Sequence, residues 1–91
     1  MLIVIAYDIP DDKRRRRLAQ LLEGYGERVQ KSLFECHLDR RRLARLRREV
    51  HRHVDPETDR VRIYALCRRD ARQVRHDGQG RPPRDIVQWT L

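Results

Sequence analysis

At 91 residues the chain suffices for one small domain and is too short for two, so any site must come from one compact layer pair or be shared between subunits. Charged residues make up 40% of it and the formal net charge is +8, with Arg supplying all but Lys13 and Lys31 of the 22 basic residues. That balance suits a polyanion ligand, because a guanidinium fork matches phosphate and a positive field speeds encounter with nucleic acid.

Residues 2–6 form a continuous apolar run that ends at Tyr7 and Asp8, the pattern of a strand buried on both faces and central in its sheet. The run is too short for a membrane span and has no basic leader, so the expectation is a cytoplasmic protein without membrane contact. Pro10 ends the ladder, and Asp11 or Asp12 can cap a helix opened by five consecutive basic residues, Lys13 to Arg17. Leu18, Leu21, Leu22 and Tyr25 then make one apolar stripe, and Gly24 and Gly26 end the helix. Between Glu27 and Leu38 the apolar phase slips by one residue, which predicts two short strands joined by a turn or bulge near residues 31–33. Asp39 is placed to cap a second helix with Leu43, Leu46 and Val50 on its buried side, ending before Asp55-Pro56. Val61, Ile63, Ala65 and Cys67 alternate with Arg60, Arg62, Tyr64 and Leu66 as a half-buried strand.

The order βαββαβ over residues 1–67 implies an α+β fold, a ferredoxin-like sandwich with an antiparallel sheet and both helices on one face. Residues 68–84, rich in Arg, Gly and Pro, read as a basic loop or linker. Residues 85–91 return to strand character as a C-terminal strand of the same single domain, expected to be exchanged across a homodimer. A chain of this length buries only roughly 60–65% of its unfolded surface, so a second copy would cover what one core cannot. Phe34 and Trp89 are candidates for that contact. Cys36 and Cys67, without a metal-like spacing, read as small buried hydrophobes.

Asp8, at the end of a rigid strand, is the candidate metal-binding carboxylate: oxygen ligands suit Mg²⁺ or Mn²⁺, which promote phosphodiester cleavage. One carboxylate is a poor metal site, and two copies meeting across a dimer axis would make a better one. The competing assignment for Asp8 is a turn cap, and for the Arg run a solvated face. The four His are scattered, and no nucleophilic triad, dinucleotide-binding or P-loop signature occurs.

The strand end Tyr7-Asp8-Ile9, the basic helix start after Asp11-Asp12, the run Arg28-Val29-Gln30-Lys31-Ser32-Leu33-Phe34-Glu35-Cys36 and the late strand Asp59-Arg60-Val61-Arg62-Ile63-Tyr64 together resemble the small CRISPR-associated Cas2 family, related to VapD-type toxin ribonucleases. The resemblance implies a ferredoxin-like homodimer in which Asp8 of both subunits faces the dimer cleft and holds a divalent metal. It implies a metal-dependent endonuclease acting on RNA or double-stranded DNA, with Tyr7 and Asp8 at catalytic positions and Arg15, Arg17, Arg28 and Phe34 at nucleic-acid-binding ones. The partner it implies is the CRISPR integrase Cas1 in spacer acquisition. Two rival functions remain open: a non-catalytic scaffold bridging integrase subunits, and a toxin-like ribonuclease acting alone.

Overall fold

The first strand, β1 (Leu2–Asp8), alternates along its length: Ile3, Ile5 and Tyr7 are buried, Leu2, Val4 and Ala6 are half-buried, and Asp8 is exposed. The computed structural model describes residues 1–66 and 87–91. β1 pairs antiparallel with β3 (Leu33–His37) on one side and with β4 (Arg60–Leu66) on the other. It is therefore central, as its apolar run predicts, but only one of its faces is fully covered. Ile3, Ile5 and Tyr7 share a single core with Leu18 and Leu22 of α1 (Asp12–Glu23) and Leu43, Leu46 and Val50 of α2 (Arg40–His53). Both helices thus lie on one side of the sheet, and among the described residues the other side is open.

Local chemistry sets the element ends. Asp11 caps α1, its carboxylate accepting from the Arg14 amide at 2.9 Å, and Asp39 caps α2 by accepting from the Arg42 amide at 2.8 Å. α1 closes at Gly24, before Tyr25; the Tyr25 hydroxyl instead donates to Glu49 of α2 at 2.9 Å, tying the turn to the second helix. The expected phase slip resolves into β2 (Glu27–Gln30), a turn at Lys31 and Ser32, and β3, with a register shift between Arg28 and Gln30 that leaves Val29 bulged and exposed. Gly26 makes this crossing possible: a Cβ there would lie 2.1 Å from the Glu35 carbonyl oxygen.

The sheet order is β2-β3-β1-β4-β5, where β5 (Val87–Thr90) pairs antiparallel with β4 from Arg62↔Thr90 to Ala65↔Val87. In the single chain β5 lies along the free edge of its own β4, the edge at which exchange with a second copy was expected. Cys67, the segment 68–84 and residues 85–86 lie outside the described residues. Phe34 and Trp89 do not face the open side either. Phe34 is fully buried, and Trp89 pairs with Ile63 on the helix side, its ring 4.5 Å from the Arg47 guanidinium. The open face carries Leu2, Val4, Ala6, Leu33, Tyr64 and Leu66, all half-buried. Among the described residues no helix is long and apolar enough to cross a membrane.

Asp59, just before β4, is the only buried charged residue among those described. Its carboxylate accepts from Arg14 Nε at 2.9 Å and Nη2 at 3.3 Å, from the Asp55 amide at 2.8 Å and from the Thr58 hydroxyl at 3.1 Å. Burial alone would push this carboxyl up, but those donors outweigh it and hold it below the usual range. A carboxyl held low in the folded state contributes stability that is complete above its unfolded value, about 3.9, and is lost as pH falls through the lower folded value. Asp59→Ala is expected to lower unfolding free energy at neutral pH by about 3 kcal/mol, the low end for breaking a buried pair because Arg14 is partly exposed. Denaturant titrations should also show a shallower loss of stability below about pH 4 than in wild type.

Candidate active site

Alternation along β1 points Tyr7 and Asp8 to opposite faces of the sheet. Tyr7, 5% exposed, turns to the helix side, where its hydroxyl donates to the Lys31 carbonyl at 3.4 Å, and its amide donates to the Ser32 carbonyl at 3.1 Å. Both bonds hold the β2–β3 turn against the end of β1. Tyr7 thus positions the turn beside the strand end and also lines the depressions next to Asp8. Asp8 projects to the open side and is exposed.

Arg15 reaches the same strand end from α1, donating to the Ile9 carbonyl at 3.1 Å and pairing with Asp12. A depression lined by Tyr7, Asp8, Ile9, Arg15, Lys31 and Ser32 results, and a second groove, holding Arg16 and Arg28, continues it between α1 and β2. On the other flank, Asp8 shares a concave surface with Ala6, Arg60 and Arg62. The structure therefore gathers Asp8, Arg15 and Arg28 along one basic path. Arg17 is exposed but lines none of these surfaces, because each helical step turns the side chain by about 100°.

Phe34, expected among the nucleic-acid-binding positions, is buried. No surface of the ring is exposed; it lies 6.2 Å from the Tyr7 ring and under the Arg28 guanidinium at 5.3 Å. Its paired position opposite Arg28 makes it a platform for that side chain.

Sequence reasoning passed over Lys31, Arg60, Arg62 and the Arg14–Asp59 pair. The alternation of residues 60–66 marked Arg60 and Arg62 as outward-facing, but nothing in it revealed that β4 pairs with β1 in a register setting Arg60 opposite Asp8. Among the described residues no three His, Cys, Asp or Glu side chains converge as metal ligands. Asp8 is a lone exposed carboxylate, which fits a cation such as Mg²⁺ that keeps most of its waters and takes one or two carboxylates plus substrate phosphate.

Phe34→Ala is expected to cost about 3–5 kcal/mol of stability through the cavity it leaves. Arg28→Gln should leave stability nearly unchanged and weaken binding of a labelled RNA or DNA oligonucleotide, as read by thermal melting and fluorescence anisotropy. Phe34→Ala that folds as stably as wild type would refute the platform role.

The family model for CRISPR associated protein Cas2 matches residues 1–74. The chain is 48% identical over 82 residues to a CRISPR-associated endoribonuclease Cas2 of Synechocystis, covering 90% of this chain and 87% of that protein. It is 56% identical over 66 residues to a CRISPR-associated endonuclease Cas2 of Thermus thermophilus, covering 72% and 73%. The crystal structure of Streptococcus pyogenes Cas2 at pH 6.5 superposes with a TM-score of 0.70 at 32% identity, covering 81% of this chain and 95% of the other. The family model over residues 1–74, the identities along most of the chain and the shared fold make this protein a member of the CRISPR-associated Cas2 family.

Proposed function

We propose that the chain is a homodimeric endonuclease of CRISPR adaptation, dependent on Mg²⁺ or Mn²⁺, that cleaves phosphodiesters of RNA or double-stranded DNA. The observation that carries this is Asp8: an exposed carboxylate at the end of the central strand, flanked by Arg15 and Lys31 on one side and by Arg60 and Arg62 on the other. The names of the Synechocystis and Thermus thermophilus relatives support nuclease activity. A carboxylate ringed by cations suits a substrate that is polyanionic along its length and needs a cation-binding oxygen at one point.

The dimer follows from the open sheet face. Its half-buried apolar band is left without helices, and a second copy of the same band would cover it. A two-fold axis running along β1 would set Asp8 beside Asp8 of the partner subunit, since only that direction maps one strand end onto the other. Asp8 from both subunits would hold the divalent ion, which when bound supplies an activated water and charge neutralisation at phosphate. Arg15 and Arg28 would bind the backbone on either side, Arg15 being held by its bond to the Ile9 carbonyl and Arg28 by the Phe34 ring.

A second function, a non-catalytic scaffold between Cas1 subunits, is favoured by the single carboxylate that one chain supplies to the site. Asp8→Asn separates the two. It is expected to slow metal-dependent cleavage by at least about 100-fold, the scale of losing one electrostatic contributor to a transition state. It should bind nucleic acid as tightly as wild type or more so, because a negative charge has been removed. Equal cleavage by Asp8→Asn and wild type would overturn the metal-binding role of Asp8, and spacer integration with Cas1 that survives Asp8→Asn would assign the scaffold role to the dimer independently of cleavage.

A further inference from the structure

We infer that Arg62, with Arg60 beside it, forms the phosphate-gripping element of the Asp8 site. These two guanidinium groups on β4 would bind the nucleic-acid phosphate nearest to Asp8. The inference deepens the nuclease proposal and rests on it for the identity of the ligand.

The pairing of β1 with β4 sets Asp8 opposite Arg60 and Ala6 opposite Arg62, so the carboxylate and both arginines stand on the same face. Side chains directly opposite in an antiparallel pair begin about 5 Å apart and diagonal ones about 7–8 Å, distances that long side chains readily close. They do not close here: neither arginine forms an ion pair with Asp8 among the described residues. Arg60 is drawn toward the preceding loop, donating through Nη1 to the Asp59 carbonyl at 2.9 Å and the Pro56 carbonyl at 3.5 Å. The Arg62 side chain is exposed and makes no hydrogen bond among the described residues. Ala6, small and level with Arg62, provides the floor of the concave surface that Asp8, Arg60 and Arg62 line.

A carboxylate and guanidinium groups held apart across such a hollow leave room for a tetrahedral anion between them. The planar Arg fork donates to two phosphate oxygens at once, which a point charge does not. Arg14, Arg15 and Arg45, by contrast, are already spent on carboxylates of this chain. In the two-fold dimer each subunit would bring its own Arg60 and Arg62, so the two Asp8 carboxylates would be flanked by guanidinium groups that offset their mutual repulsion.

The test compares Arg62→Gln, Arg62→Lys and the α2 control Arg52→Gln. Anisotropy with a labelled RNA and a labelled DNA duplex, in EDTA across a salt series, reads binding without cleavage. Arg62→Gln should raise Kd about tenfold and reduce the slope of log Kd against log salt by about one, with solution mass and melting temperature unchanged. Arg62→Lys should restore the salt slope while leaving Kd raised, because charge returns without the fork. Arg52→Gln should change Kd by less than about threefold. With Mg²⁺ present, Arg62→Gln should raise KM more than it lowers kcat. Wild-type Kd and salt slope in Arg62→Gln would overturn the inference, as would an equal effect from Arg52→Gln. If wild-type protein shows no metal-dependent cleavage, the nuclease proposal fails, while the binding data in EDTA still decide the contact to Arg62.

Discussion

All seven residues of β1 pair with β4 and five of them also pair with β3, and this doubly bonded position fixes where every other element can go. With β1 immobilised from both sides, its odd-numbered residues carry the core and its even-numbered residues the open face. Tyr7 and Asp8 mark the division. One closes the core and steadies the neighbouring turn, and the other stands in solvent at the end of the most constrained strand in the sheet. A carboxylate on so rigid a mount is held in place without ligands of its own.

The arginines divide by the same geometry. Arg14 is committed to buried Asp59 and joins the start of α1 to the start of β4. Arg47 covers Trp89, and Arg42 lies over Tyr25 at 5.4 Å, so both spend their charge on aromatic faces that pack the helices against the rest of the fold. Arg28 lies over Phe34 yet remains exposed toward the groove. The net charge of +8 is therefore not a uniform coat. Part of it holds the structure together, and the part that remains near Asp8 comes from α1, the β2–β3 turn and β4, elements distant in sequence and adjacent only through β1.

The covering of one sheet face alone has a physical consequence. Two helices of 12 and 14 residues shield the side bearing Ile3, Ile5 and Ile63, and the other side keeps a band of half-buried apolar groups edged by charge. In the proposed dimer a second copy would cover this band and would also bring a second carboxylate to the first. Core economy and site construction would then be served by the same contact.

Periodicity and capping chemistry are local properties, and they were readable from the chain. They placed β1 at the centre, Asp39 at the head of the second helix, the paired short strands around residues 31–33 and the outward alternation of Arg60 and Arg62. The motif blocks carried the family as well. What the chain alone left undecided depended on pairing register and on which face the helices occupy. The burial of Phe34 follows from its register opposite Ile5, and Trp89 lies opposite Ile63 on the same side. In the single chain the terminal strand lies on its own β4. A one-residue change of register exchanges the faces of a strand, so the neighbours of Asp8 were settled by long-range hydrogen bonding between β1 and β4. Local sequence encodes the alternation of each strand, but only the folded sheet sets two alternations against each other.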